Sequence, residues 1–359
     1  MGSMQEEADV KQPMSYKKWM LAGALLALIG AFFATGLGAM SFSPGTVLRV
    51  VFSRIPFARE LAQEPSRLEF NMIWKLRIPR VLLGLIIGSA LGICGVAMQA
   101  LVRNKLADPF ILGVSSGASA TASLFMVFGV FSFFGRYALS LSAFLGALFS
   151  IVFVFAMAHV NGRISITRML LSGVAVAMIM DAVTSFVAVS APNAFSVYNV
   201  SFWLSGSLAG AKWETLALPG AVMLLCGTCL MAQHRALDVL VMGEEAAGSL
   251  GVSVRSTQQA LMLLSSLLAG VAISVSGSVG FIGMIVPHLS RILAGSSHKR
   301  VLPLSALLGG ILVVWADVAA RMIAAPEEIP VGLLTALIGA PFFLVILKKR
   351  PGERTCLNG

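Results

Sequence analysis

Long apolar runs are the feature that most limits what this chain can fold into. A helix needs about 20 mainly apolar residues to cross a bilayer. Hydrophobic residues make up 57% of the 359 residues and charged residues only 12%, about half the charged share of a soluble domain. We therefore predict an all-α, polytopic membrane protein with about ten transmembrane helices. The predicted spans are 19–40, 79–101, 110–132, 138–160, 169–190, 214–233, 257–276, 282–295, 303–323 and 332–347.

The basic residues predict the orientation of these spans. Ten spans place both termini on one side, and a cytoplasmic start leaves 16 of the 26 Lys and Arg in inside segments. Seven of the other ten lie in or beside the first outside segment, 41–80, so the bias elsewhere is 16 to 3, as the positive-inside rule requires. We expect cytoplasmic tails at 1–18 and 349–359 around a single transmembrane domain, 19–348. The net charge of +10 follows from this topology and does not indicate a nucleic-acid partner.

A polar, helix-like insert interrupts the apolar pattern at 234–256. Three acidic residues stand beside apolar residues there, and two glycines supply breaks, a pattern that predicts two short helices with a tight turn. Lipid cannot satisfy the charged face of such a segment, so it favours a protein partner over an ordinary solvated loop. The residues that carry the pattern are Asp238, Leu240, Val241, Gly243, Glu244, Glu245, Leu250 and Gly251.

One apolar helix later comes the run Gly277-Ser278-Val279-Gly280-Phe281-Ile282-Gly283-Met284-Ile285-Val286-Pro287-His288-Leu289-Ser290-Arg291. Together with the polar run 243–252, it closely resembles the permease subunits of ABC importers for iron chelates, haem and vitamin B12. The resemblance extends from about residue 77 to residue 348. It implies a type II ABC importer permease fold in a bacterial plasma (inner) membrane. It also implies ATP-driven import of an iron chelate, either a siderophore or haem, with cobalamin as the alternative cargo.

In that family, coupling helices matching about 238–252 dock onto a separate ATP-binding subunit, which is present in two copies. A phosphate-binding loop needs Gly-Lys followed by Ser or Thr, and Gly-Lys does not occur in this chain. We therefore expect no enzymatic activity, no catalytic residue and no metal site here, with ATP and Mg on the partner. The matching coupling residues are Leu240, Gly243, Glu244, Glu245, Ala247, Leu250 and Gly251.

The resemblance also assigns Arg77, Arg80 and Arg321 to docking of a periplasmic or lipid-anchored substrate-binding protein. Arginine suits such a contact because its planar guanidinium binds carboxylate with two parallel hydrogen bonds. The alternative is snorkelling at the membrane interface, with Arg321 paired to Asp317 one helical turn away.

A cytoplasmic gate is the implied role of four residues in two inside loops: Asn104, Leu106, Ile166 and Thr167. A gate favours small polar and apolar residues, since a charge there would hold ligand or water. The alternative is that Asn104 and Asp108 cap the helix that follows. Closure across an axis requires a second permease copy or a paralogue, and the sequence does not distinguish these.

An ion-coupled secondary transporter remains a second class of function, and an intramembrane enzyme a third that lacks a credible catalytic set. Ion coupling usually leaves acids within spans, and this chain has two, Asp181 and Asp317. Asp317 has a candidate partner in Arg321, whereas the role of Asp181 stays open.

Overall fold

Helices form almost all of the regular structure in the computed structural model, which describes residues 16–55, 64–160 and 163–348. Their bounds are α1 Tyr16–Gly36, α2 Pro44–Phe52, α3 Arg67–Phe70, α4 Ile78–Val102, α5 Val114–Phe128, α6 Ala138–Ala158, α7 Ile166–Val189, α8 Ala194–Leu204, α9 Trp213–Ala232, α10 His234–Leu240, α11 Glu244–Ser249, α12 Val254–Ser276, α13 Ile282–Ala294, α14 His298–Ile323 and α15 Val331–Lys348. A π-helix, Asn71–Arg77, joins α3 to α4, and 3₁₀ helices occupy Pro109–Leu112 and Ser132–Tyr137. Strands β1 His159–Val160 and β2 Arg163–Ile164 form one short antiparallel pair.

The membrane-spanning pattern agrees with the predicted fold class. Among the described residues, seven helices are long and apolar enough to cross a membrane, and three shorter apolar helices bring the set to the predicted ten. The third predicted span, 110–132, is less regular than expected, because Gly113 adopts a left-handed conformation between the 3₁₀ helix Pro109–Leu112 and α5. Helix α1 begins at Tyr16, inside the predicted N-terminal tail. Residues 1–15 and the predicted tail 349–359 lie outside the described ranges.

Helix α4 forms the centre of the bundle, and its most extensive contact is with α14. Glycines allow this contact: a Cβ at Gly88 would collide with the carbonyl of Gly309, and a Cβ at Gly95 would collide with the carbonyl of Gly283 in α13. Small residues let membrane helices approach until their backbones touch. The close approach leaves α4 buried along most of its length.

Helix α13 is short and carries Pro287, which cannot donate a hydrogen bond to the carbonyl of Gly283 four residues earlier. The side chain of Gln99 takes this role, with Nε2 lying 3.4 Å from the Gly283 oxygen. Arg291 Nη1 donates in turn to Gln99 Oε1 at 2.5 Å. A buried polar contact between α4 and α13 therefore compensates for the proline.

The bundle has two ends, which are about 37 Å apart along the 25 residues of α4. The "α11 end" carries α10, α11 and the C-terminus of α4, and the "α2 end" carries α2 and the N-terminus of α4. The predicted coupling and gate residues lie at the α11 end, whereas Arg77, Arg80 and Arg321 lie at the α2 end.

Candidate functional site

At the α11 end, the polar insert forms the two short helices α10 and α11. Gly243 separates them with φ 118°. Residues other than glycine rarely adopt this backbone conformation, because a Cβ would clash. Glu244 and Glu245 occupy the first turn of α11, where the positive end of the helix dipole stabilises carboxylates. The turn between the helices therefore requires Gly243 and presents two acids at its exit.

Burial divides the predicted coupling residues into two groups. Leu240 and Ala247 are buried, so their side chains fix the helices to the bundle and do not face a partner. Their predicted part in coupling is therefore to position α10 and α11, and it stays a prediction. The exposed group consists of Glu244, Glu245, Leu250 and Gly251, while Gly243 is half-buried. Val241 and Met242 are also exposed, and the sequence did not single out Met242. Apolar and acidic side chains thus share one exposed surface.

Glu244 is tied to two other helices, whereas Glu245 is not. Gln258 Nε2 of α12 donates to Glu244 Oε1 at 3.2 Å, and Arg103 Nη2 lies 3.6 Å from the same oxygen. Among the described residues, no hydrogen bond or ion pair involves the Glu245 side chain. These residues line an open cavity of about 830 Å³ beside α11. Glu245 is therefore the acid available to a partner, and Glu244 connects α11 to the bundle.

Sequence reasoning missed Arg103, which caps α4 in a left-handed conformation with φ 55°. Such a conformation is unfavourable for a residue with a Cβ, and glycine is the usual choice at this position. Arg103 directly precedes Asn104 of the predicted gate loop. The only sign in the sequence of a contact between Arg103 and Glu244 was their opposite charge, one at the end of a span and the other in the polar insert.

A second contact that the sequence did not reveal holds α10 to α14. Asp238 Oδ1 accepts a hydrogen bond from the His298 backbone at 2.8 Å and lies 2.6 Å from His298 Nδ1. Asp238 caps α14 in this way, since the first N–H groups of a helix have no partner within it. Asp238 is thereby engaged within the chain.

The predicted gate loop after α4 is organised by two short-range side-chain contacts. Asn104 Oδ1 accepts from the backbone of Leu106, and Asp108 Oδ1 accepts from the backbone of Phe110, both at 2.9 Å. Asp108 therefore caps the 3₁₀ helix Pro109–Leu112, and Asn104 closes a turn. The capping alternative is therefore confirmed for Asp108, which caps the first turn of the predicted span 110–132, and is wrong for Asn104, which caps no helix.

The surroundings of Asp108 also change its acidity. Burial raises the pKa of the Asp108 carboxyl from its ordinary value of 3.8 to about 6, and the hydrogen bond from Phe110 opposes the rise. The carboxyl is enclosed by protein, although the residue keeps some exposed surface. Burial thus moves the pKa of this carboxyl toward, but not to, neutral pH.

The other two predicted gate residues begin α7. Ser165 Oγ accepts from the backbone of Arg168 at 3.4 Å and starts this helix, leaving Thr167 exposed and Ile166 partly buried. The 3₁₀ helix after Asp108 packs on α7, where a Cβ at Gly173 would collide with the Ile111 carbonyl. The two predicted gate segments thus belong to neighbouring elements.

At the α2 end, two arginines from other helices cap the C-terminus of α1. Arg77 Nη1 donates to the carbonyls of Thr35 and Gly36 at 3.1 and 2.9 Å. Arg321 donates to Leu37 at 2.8 Å through Nη1 and to Ala34 at 3.2 Å through Nη2. The last carbonyls of a helix lack partners within it, and cations are favoured there.

A shared carboxylate joins the remaining arginine to this cluster. Asp317 lies 2.8 Å from Arg80 Nε and 3.0 Å from Arg321 Nε, and Arg80 Nη1 also binds Glu328 at 2.9 Å. The predicted pair of Arg321 and Asp317 is therefore present.

The arginine cluster, defined as Arg77, Arg80 and Arg321, differs from the sequence expectation in its accessibility. All three residues are buried, and Arg77 and Arg80 belong to the continuous helix Arg67–Val102. A docking role for them therefore requires an incoming carboxylate to displace an internal partner. Arg80 is the arginine best placed for such an exchange, because its internal partner Glu328 has a side chain that is 38% exposed.

Comparison with known proteins adds an independent line of evidence. The model of the FecCD transport family matches residues 25–349. The chain is 40% identical over 279 residues to the cobalamin import system permease protein BtuC of Halobacterium salinarum, covering 78% of this chain and 74% of that one. It is 39% identical over 288 residues to the hemin transport system permease protein HmuU of Yersinia pestis, covering 79% and 85%.

Among solved structures, the fold is similar to one described as an ABC transporter of metal-chelate type in an inward-facing conformation. The TM-score is 0.80 at 30% sequence identity, and the match covers 93% of this chain and all of that chain. Sequence and fold therefore agree over nearly the whole described length.

Proposed function

We propose a function on one premise: the chain belongs to the FecCD transport family. It is thus the permease subunit of an ABC importer. We propose that it moves an iron chelate, a siderophore or haem, from a binding protein into the cytoplasm, with cobalamin as the alternative cargo. The names of the relatives support both cargo classes.

The exposed surface at α11 is the observation that supports ATP hydrolysis by a partner subunit as the energy source. Glu245 on α11, with Met242 just before it and Leu250 just after it, combines charge and apolar area in a segment held between two membrane spans, α9 and α12. Such a surface suits a protein interface, in which an apolar centre is surrounded by polar groups. We propose that an ATP-binding subunit docks there, with ATP and Mg bound by that partner. Two copies of the partner would serve two permease chains.

This assignment also sets the orientation in the membrane. The α11 end faces the cytoplasm of a bacterial inner membrane, and both termini lie on that side, in agreement with the positive-inside bias. The α2 end then faces outward and receives the periplasmic or lipid-anchored binding protein. We propose that Arg80 meets a carboxylate of that protein by exchange with Glu328, while Arg77 and Arg321 hold α1 in place.

Charge reversal on α11 tests the proposal. Glu245→Lys should reduce co-purification of the ATP-binding subunit in detergent, because the substituted side chain is exposed and has no described partner within the chain. Losing one partner of a charge pair that is buried at an interface typically costs about 2 kcal/mol or more, which corresponds to roughly thirtyfold weaker binding.

The matched control is Glu327→Lys, which makes the same charge change at an exposed position of the α2 end. It should leave co-purification unchanged. Equal retention of the ATP-binding subunit by both variants would contradict docking at α11.

A further inference from the structure

Helix α7 leaves an unusually large part of its surface uncovered. Only 17% of its apolar stretch is buried, the smallest share among the seven long apolar helices of the described residues. The residues that it buries are Met169, Gly173, Val176 and Val187. An exposed row with helical spacing begins at the predicted gate residue and runs along the helix: Thr167, Leu171, Val174, Met178, Asp181 and Ser185.

Asp181 is the charged member of this row. It lies about 22 Å from the start of α7 and about 12 Å from its end, well inside a membrane-spanning length. Its carboxylate takes part in none of the hydrogen bonds or ion pairs found among the described residues. Ser185 Oγ donates to the Asp181 backbone carbonyl at 2.8 Å and leaves the carboxylate free.

An exposed carboxylate at this depth is not compatible with a lipid-facing surface. Acids within spans almost always face the interior of a bundle or a water-filled cavity. Asp317 illustrates the first case, because it is buried between two arginines. Asp181 has no such neighbours, so water must reach its side of α7.

We propose that Asp181 lines a water-filled translocation pathway and makes it selective for cargo that carries positive charge over anionic cargo. The second wall of the pathway is α7 of a second copy of this chain, so that two Asp181 carboxylates face one aqueous space. A cleft lined by charge of one sign with apolar walls concentrates ions of the opposite sign. The remaining exposed residues of the row are apolar or small, so this charge dominates the local potential.

This inference rests on the proposed import function, because it requires a pathway through the membrane between two chains. The row offers one continuous surface for that pathway, since Thr167 and Asp181 share it. The negative charge of Asp181 therefore narrows the range of cargo that the pathway favours. A chelate that presents an ammonium or another cationic group is favoured over a polyanionic chelate.

Charge-selective labelling tests the role of Asp181. Ser185→Cys is introduced into the full chain after removal of Cys94, Cys226, Cys229 and Cys356, and the protein is placed in liposomes. The probes are a cationic trimethylammonium methanethiosulfonate and an anionic sulfonate methanethiosulfonate. Each labelling rate is divided by the rate of the same reagent with a small thiol in solution.

We expect the cationic reagent to react faster, and Asp181→Asn to reduce the ratio of the two rates about tenfold at low ionic strength. That factor is what one unit charge about 6 Å away produces between reagents of opposite charge in water. Asp181→Glu should preserve the ratio. The control is Ser190→Cys, because Ser190 is exposed at the end of α7. At this position Asp181→Asn should change the ratio of the two labelling rates much less.

Two results would overturn the inference: an unchanged ratio in Asp181→Asn, or no labelling at Ser185→Cys while Ser190→Cys reacts. The second would show that water does not reach this surface. Neither result depends on the ATP-binding subunit, so failure here is distinguishable from failure of the docking experiment on α11.

Discussion

Arg80 and Asp317 form a buried ion pair, with 2.8 Å between Nε and Oδ1, that joins α4 to α14. The same carboxylate also pairs with Arg321, which in turn holds the C-terminus of α1. Asp317 therefore contacts two guanidinium groups at the meeting point of three helices, and Glu328 is a second partner of Arg80. Buried charges of this kind are tolerated only while they remain paired.

Asp317→Asn should destabilise the protein by about 3 kcal/mol or more, since removing one partner of a buried ion pair leaves an uncompensated charge. Thermal unfolding in detergent measures the effect. The matched control is Glu214→Gln, which breaks the exposed pair between Arg136 and Glu214. Exposed pairs contribute at most about 1 kcal/mol, so equal losses in the two variants would contradict the structural role of Asp317.

Glu328→Gln should increase capture of the binding protein severalfold, because it weakens the internal competitor for the Arg80 guanidinium. Immobilised permease and soluble binding protein at low salt provide the measurement. Glu327→Gln removes the neighbouring charge without touching a described partner of Arg80 and should change capture much less. Reduced capture by Glu328→Gln would instead show that the Glu328 carboxylate itself contributes to docking.

The carboxyl of Asp108 should make stability depend on pH. Its pKa is higher in the folded chain than its ordinary value of 3.8, so the folded state favours the protonated form. The stability that protonation provides is therefore fully present below about pH 4 and is lost as pH rises to about 6. The upper limit of this change is about 3 kcal/mol.

Asp108→Asn tests that dependence, because asparagine retains the capping oxygen and removes the titration. Between pH 4 and pH 6, the melting temperature of the variant should change less with pH than that of the unaltered protein. Parallel pH profiles for the two proteins would assign the pH dependence to other groups.

Cysteine at Thr167 should report movement of the predicted gate. In a background without the four native cysteines, Thr167→Cys in both copies is expected to crosslink with a short bifunctional reagent in one nucleotide state and to separate in another. Alternating access requires one end of a pathway to narrow as the other opens. Equal yields with and without ATP would argue against a gate here, and no crosslink in any state would argue against a dimer axis beside α7.

Much of the fold could be predicted because it depends on local composition. An apolar run of sufficient length specifies a span wherever it lies, so the ten helices followed from the sequence. The turn at Gly243 was also local, since a glycine between amphipathic segments marks a break. Deviations such as the 3₁₀ helix Pro109–Leu112 depend on the loop before it and were not evident.

The contacts between distant segments could not be predicted from the sequence. Nothing near Arg77 indicates that its guanidinium reaches the carbonyls of Thr35 and Gly36, some 40 residues earlier. The burial of Leu240 and Ala247 likewise depends on where α10 and α11 meet the bundle. Residue type alone does not show whether an arginine or a leucine is buried against other helices, because packing between distant segments decides that.

The most direct test of the account is uptake by liposomes that contain the full chain with its ATP-binding subunit and binding protein. A ferric trihydroxamate, haem and cobalamin serve as parallel cargoes. We predict that at least one of them accumulates when ATP is hydrolysed and that accumulation persists after proton and sodium gradients are collapsed. Accumulation driven by an imposed ion gradient without ATP would contradict the account and identify the chain as an ion-coupled transporter.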